Sequence, residues 1–303
     1  MQFSQNETRD FERAFNELPA QSRYQRPSNF EDPILQIIEG KQSGTPLLFC
    51  PQLSFRPGEV TIWGGINGHG KSLITGQVAL QLIAAGKRSA ILSFEMTPER
   101  TLLRMIRQYC GHTPQARDVA TFLKRVDPWL LLLNHVGSIT PAATLGACVV
   151  AARDYDCQHI FIDNLMRVVA GTDDYTGQKM FIQNLTDVAR ALGVHIHIVH
   201  HVRKGQTEDD EIGKFSFNGS GDIVNQVDNA ILIQRNRKKE RELFGCKPSD
   251  VPEDDKVGDS VLRIVKQRNG DYEGVVPLWF NADATAFCTS PARRVVWKLE
   301  GGK

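Results

Sequence analysis

From Gly65 to Ser72 the chain reads Gly-Ile-Asn-Gly-His-Gly-Lys-Ser. This fits G-x-x-x-x-G-K-[S/T], and its flanks matter as much as its letters. The apolar stretch Val60, Ile62, Trp63 before it predicts a short strand. The run from about Lys71 to Ala85 after it predicts a helix. Glycines there let backbone N–H groups turn inward, and the helix start adds its positive end, so the segment predicts an anion cradle. Gly65, Asn67, Gly68, His69, Gly70, Lys71, Ser72 and Leu73 are the expected nucleotide-binding positions. Lys71 would neutralise the β/γ oxygens and Ser72 would hold Mg²⁺. The expected cofactors are ATP, or another NTP or dNTP, and Mg²⁺.

Downstream of that loop, strand and helix patterns alternate. Strands are predicted over Arg88 to Phe94, Trp129 to Leu133, His159 to Ile162, Val194 to Val199 and Val227 to Ile233. Helices are predicted from Thr97-Pro98, over Ala142 to Arg153, and from about Gly177 to Leu192, with Gly193 as terminator. The tail adds strands over Val261 to Val265, Val275 to Leu278 and Arg294 to Lys298. The fold class is therefore α/β: a mostly parallel sheet flanked by helices, with antiparallel strands added at its C-terminal end. Upstream, Asp32-Pro33 followed by Ile34, Leu35, Ile37 and Ile38 predicts a short amphipathic helix. Gly44, Pro46, Pro51 and Pro57-Gly58 then break the chain. The expected division is an N-terminal arm and linker helix over 1–54 and one main α/β domain over 55–303.

The 303 residues carry 36 basic and 35 acidic side chains and 41% hydrophobic residues. These values exclude collagen-like and wholly disordered chains, and they leave binding of nucleic acid open, since fields act locally. The six cysteines are Cys50, Cys110, Cys148, Cys157, Cys246 and Cys288, with no CxxC pair, so neither a disulfide framework nor a metal-site spacing is expected. No apolar stretch reaches the roughly 20 residues of a membrane span, and the N-terminus lacks an apolar leader. The expected location is the cytoplasm.

Two carboxylates end predicted strands. Asp163 closes His159-Ile160-Phe161-Ile162; beside a phosphate loop it would hold Mg²⁺ through water. Glu95 follows Ala90-Ile91-Leu92-Ser93-Phe94 and either orients the attacking water or simply caps the next helix. His195 and His197 alternate on one strand face and are expected to be core histidines.

Taken together, GGINGHGKS, LSFEM, HIFIDNL and VKQRNG resemble the RecA-like motor domain of DnaB-like replicative helicases, the group that includes phage primase-helicases and mitochondrial Twinkle. The resemblance spans about residues 55 to 282. It implies a RecA-like P-loop NTPase core and a homo-hexameric ring. It further implies hydrolysis at subunit interfaces and 5′–3′ translocation on single-stranded DNA during replication. By the same resemblance Glu95 activates water and His201 is the γ-phosphate sensor, a histidine as in the phage branch. Arg268 is the trans-acting finger, with Lys266 as its companion; spacing alone would read these two as solvated charges. Arg235 is placed near the base or ribose.

In that architecture two loops face DNA, with Arg167 in the first and Arg203, Lys204, Lys214, Asn218, Gly219 and Ser220 in the second. The acidic run Thr207 to Glu211 sits awkwardly there, because it repels phosphate. A separate primase, polymerase or loader is an expected partner, and no membrane is. The competing readings are a RecA-like recombinase or mediator, a regulatory P-loop ATPase, and a small-molecule kinase.

Overall fold

The computed structural model describes residues 5–17, 24–40, 44–169, 174–202, 210–217, 221–244 and 256–292. The chain divides into two compact units, Met1–Ser43 and Gly44–Lys303. In the first lie helix α1 (Gln5–Asn16) and helix α2 (Glu31–Ile38). Glu31 and Asp32 open α2, favourable charges for a helix N-terminus, and Ile34, Leu35, Ile37 and Ile38 are all exposed.

The second unit begins earlier than expected. Thr45–Leu47 (β1) and Cys50–Phe55 (β2) form an antiparallel hairpin, where the sequence suggested only a broken linker. Leu47, Phe49, Leu53 and Phe55 are buried in the main core, so the boundary lies at 43/44 and not at 54/55. Pro46 and Pro51, which looked like breakers, sit in a hairpin that forms its own two-stranded sheet, where a missing N–H is tolerated.

The remaining elements, in order, are β3 (Val60–Gly65), α3 (Lys71–Ala84), β4 (Ser89–Ser93), α4 (Pro98–Cys110), α5 (Ala116–Val126), β5 (Leu130–Leu132) and α6 (Pro141–Asp154). Then follow β6 (His159–Asp163), α7 (Tyr175–Leu192), β7 (His195–His201), α8 (Gly221–Gln226), β8 (Asn229–Arg235), α9 (Arg237–Glu242), β9 (Ser260–Gln267), β10 (Gly274–Asn281) and β11 (Ala286–Cys288). Nine strands make one sheet in the order β11-β10-β9-β8-β3-β7-β6-β4-β5. From β8 to β5 all neighbours are parallel, and β9, β10 and β11 add antiparallel at one edge.

Every residue of β3, β4 and β6 is buried, as expected for central strands covered on both faces. Trp63, Ile91, Phe161 and Val199 pack with Ile74, Val78 and Leu82 of α3 and Phe122 of α5. Ile62, Leu92, Ile162 and Ile198 face the other way, onto Phe181 and Leu185 of α7 and Cys148 of α6. Helix α5 and strand β11 are absent from the sequence reading. The strand read over Arg294 to Lys298 lies outside the described residues.

Candidate active site

Strand β3 delivers the glycine-rich loop to the C-terminal edge of the parallel strands, where α/β folds bind ligands. Gly70 has φ of 90°, and a Cβ there would lie 2.7 Å from the Phe287 ring of β11. At Gly65 a Cβ would stand 2.7 Å from the Ile233 carbonyl oxygen. The loop is thus pressed against β8 and β11 too closely for any other residue. Helix α3 starts at Lys71 with no side-chain cap, so its first-turn N–H groups are oriented for an anion. Lys71 Nζ donates to the carbonyls of Gly65 at 2.8 Å and Ile66 at 3.0 Å. Burial pulls this ammonium down to about 8, while Asp163 and Glu95 push it back up.

Asp163 ends β6 beside this loop. It is buried and hydrogen-bonded to Ser72, and burial raises its pKa. Its Oδ1 has no hydrogen-bond partner among the described residues. A buried carboxylate oxygen left idle beside a serine hydroxyl fits a hard divalent cation such as Mg²⁺, which takes oxygen ligands and keeps several waters. Asn67, Gly68, Gly70, Lys71, Ser72, Leu73, Glu95, Arg104, Asp163 and His201 line one cleft of about 350 Å³. That is within the size range of ligand sites.

Glu95 faces this cleft from the end of β4. Asn164 Nδ2 donates to its Oε1 at 2.7 Å, Arg167 Nε lies at 3.8 Å and His201 Nε2 at 3.9 Å. The contact with His201, followed by those with Asn164 and Arg167, holds its pKa below the usual carboxylate range despite burial. Glu95 is therefore ionised and suited to orienting a water rather than to storing a proton. Arg167, expected on a DNA loop, sits at the mouth of this site.

Two residues of the site were missed from sequence. Asn164 and Arg104 were given no role there. Arg104 enters the cleft from α4 and also lines a small cavity with Ser72, Thr75 and Asp163. Burial lowers its pKa, and the Asp163 charge opposes that shift. The spacing that brings Arg104 round to the cleft, nine residues past Glu95, is the one signal that could have flagged it.

Arg235 lies on the outer side of the loop. Its Nη1 donates to the Gly68 carbonyl at 3.3 Å, its backbone N–H donates to His69 Nδ1 at 3.3 Å, and its Nε pairs with Glu240 at 2.6 Å. Lys266 and Arg268 are elsewhere. Gln267 pairs with Asn229, which pairs with Thr61, so β9 ends at the sheet edge opposite its own phosphate loop. There Lys266 Nζ donates to the carbonyls of Val224, Asn225 and Val227 at 2.7–3.0 Å. Arg268 pairs with buried Asp228 at 3.0 Å.

Lys214 lies on a one-turn 3₁₀ helix over Lys214–Ser216. Arg203, Lys204, Asn218, Gly219 and Ser220 lie outside the described residues. The acidic end of their loop turns away onto the sheet: Glu211 pairs with Arg263 of β9, and Gln234 holds the Asp210 carbonyl at 2.7 Å. His195 and His197 are fully buried beneath the hairpin, against Phe55, Trp63 and Phe161, far along β7 from His201. Cys110, His112 and Asp118, scattered in sequence, converge to within 4.8 Å at the α4–α5 corner. Each is held there by local bonds to the turn's own backbone.

The sequence model of the AAA domain family matches residues 25–207, a span that includes the phosphate loop, Glu95, Asp163 and His201 and stops short of Lys266 and Arg268. Among solved structures, one described as "ATPase Domain of G40P" is similar with a TM-score of 0.67 at 15% identity, covering 85% of this chain and 97% of that one. Another, "The Structure Of A DnaB-Like Replicative Helicase And Its Interactions With Primase", has a TM-score of 0.67 at 14% identity, covering 85% of this chain and 67% of that one. The family model takes in the phosphate loop and both strand-end carboxylates, and the sheet that gathers them has the fold of these solved structures: the chain belongs to the AAA domain family, with the fold of DnaB-like helicase ATPase domains.

Proposed function

We infer that the chain is the motor of a ring-shaped, ATP-driven DNA helicase of the replicative type, acting as a homo-hexamer on single-stranded DNA in the cytoplasm. The observation that carries this reading is the split of the catalytic set. Everything needed to hold a triphosphate and a water lies at one edge of the sheet. The cationic pair Lys266 and Arg268 stands at the other, away from its own phosphate loop, which supports a role toward another copy. Likeness to a DnaB-like helicase solved with regard to its primase makes a separate primase a natural partner.

Within one site, the loop N–H groups and Lys71 bind the β- and γ-phosphates, Ser72 and Asp163 hold Mg²⁺, and Glu95 aligns water for in-line attack. Bound Mg²⁺ would neutralise charge on the transferred phosphoryl group. His201 faces the γ-phosphate. A neighbour's Arg268, with Lys266 beside it, stabilises the charge that develops, an effect that reaches roughly 10³–10⁵ in related enzymes. Arg235 borders the base or ribose. Arg203, Lys204, Lys214, Asn218, Gly219 and Ser220 track the DNA backbone without reading bases, while Arg167 stands at the mouth of the ATP site. The exposed apolar face of α2 suits docking on a neighbouring subunit, which makes residues 1–43 the arm that links copies.

Unwinding of a forked DNA substrate, with Lys71→Ala as control, tests the reading. ATP-dependent strand separation that needs a 5′ tail is the expected result. Full DNA-stimulated hydrolysis with no strand separation would overturn the helicase assignment.

A further inference from the structure

Asn164 is fully buried immediately after Asp163, at the point where β6 gives way to the segment carrying Arg167. Its side-chain nitrogen is shared. Nδ2 lies 2.7 Å from Glu95 Oε1 and 2.8 Å from His201 Nε2. A carboxylate can only accept, so the nitrogen and not the oxygen of the amide must face Glu95. The second hydrogen then points at His201 Nε2. Meanwhile Asn164 Oδ1 has no hydrogen-bond partner among the described residues.

We propose that Asn164 is a positioning residue for hydrolysis: its amide ties the water-orienting carboxylate of Glu95 to the γ-phosphate-facing His201, so that the two groups move as one. The proposal rests on the roles read above for Glu95 and His201. Two N–H donors on a single nitrogen are what the task requires. Aspartate would repel Glu95, and a hydroxyl could serve only one partner at a time. Arg167, half-exposed at 3.8 Å from the same Glu95 oxygen, pulls the carboxylate toward the mouth of the site. The amide opposes that pull from the buried side. When His201 engages a γ-phosphate, Asn164 carries Glu95 inward with it; when phosphate leaves, the carboxylate is free to follow Arg167 outward.

The experiment is steady-state ATP turnover of the full chain, with and without a single-stranded oligonucleotide, for Asn164→Ala, His201→Ala and the double variant. For Asn164→Ala, kcat should fall roughly tenfold or more with KM for ATP changed less than about twofold, the pattern of an interaction made only on the way to the transition state. The double variant should be no slower than His201→Ala alone, because both changes cut the same link. Asn164→Ser should recover part of the rate, and Asn164→Asp, of unchanged shape, should fall below Asn164→Ala. A wild-type kcat for Asn164→Ala, or losses that multiply in the double variant, would overturn the proposal. Should Asn164→Ala fail to fold, Asn164→Asp decides: turnover as fast as wild type overturns the link. Glu95→Gln with undiminished turnover would instead bring down the underlying assignment of the carboxylate, a separate and visible failure.

Discussion

Single residues at this site are constrained by space as much as by chemistry. Gly70 is the clearest case, since its φ of 90° and the 2.7 Å approach of Phe287 exclude a side chain twice over. Gly70→Ala should therefore lower stability by about 1–3 kcal/mol, the range for a forced left-handed backbone. It should weaken ATP binding more than the thermal shift suggests, because the loop must move to relieve the clash; calorimetric titration with ATP checks both. Glu95→Gln makes the opposite prediction. The amide keeps the shape and loses the charge, so binding should survive while turnover falls by about 10²–10⁴. A fluorescent nucleotide titration beside a phosphate-release assay separates the two. Lys71, Ser72 and Asp163 were legible in sequence because a glycine-rich loop between strand and helix has few other uses. Asn164 and Arg104 were not. A lone amide after a strand and one arginine on a helix carry no periodic signal, and only the tertiary fold shows where they point.

Elements show the same division. Most of the alternating strands and helices from Val60 to Gln234 were readable, α5 excepted, because the central parallel strands are largely apolar and the helices are punctuated by Gly and Pro. The β1–β2 hairpin was not, because its prolines mask an alternating pattern that becomes visible only when Leu53 and Phe55 are seen to pack beside Trp63. That hairpin covers a group of neutral histidines on β6 and β7. Trp63 donates to His197 Nδ1 at 3.3 Å, so His197 Nε2 carries the proton offered to His159 Nδ1, also at 3.3 Å. His195 donates to the Arg56 carbonyl at 2.7 Å and accepts from Thr61 at 2.8 Å. Every ring is thereby fixed as a neutral tautomer. Burial pulls His195 from 6.5 down to about 4, and His159 and His197 well below the ordinary value. The folded state thus refuses protons that the unfolded chain takes up, so the stabilisation is fully present above pH 6.5. It falls as the pH drops from there, and for His195 the loss is complete once the pH has passed about 4. Each such histidine contributes up to about 1.4 kcal/mol per pH unit in that window. Urea unfolding between pH 7.5 and 5 should show a steep loss of stability. His197→Phe, which stacks on Phe161 without titrating, should reduce it by one histidine's share; an unchanged slope would show that His197 is not a source of it.

At the scale of the whole molecule, the question is whether one chain is a complete enzyme. Arg268 is tied to Asp228 within its own chain, so Arg268→Ala leaves a buried carboxylate unpaired as well as removing any finger. Loss of activity in that variant alone would not distinguish damage from a missing trans contact. Mixing does. Lys71→Ala chains lack a working phosphate loop but keep Arg268, and Arg268→Ala chains have the reverse defect. If sites are shared between copies, each preparation is inactive alone. A random mixture then regains turnover at about a quarter of its interfaces, those where an intact loop meets an intact Arg268 in a closed ring. Arg268→Lys, which preserves the ion pair with Asp228 but not the planar fork, should behave as Arg268→Ala does in the mixture while unfolding like the wild type. Exchange of subunits has to be allowed, so the two preparations are mixed dilute and then concentrated with ATP and a single-stranded oligonucleotide. Removing residues 1–43 from both partners should slow recovery of activity if the arm links copies. A mixture that stays inactive, with both variants folded and assembled, would mean that Arg268 serves only to hold the end of α8 and that each chain burns ATP without its neighbour.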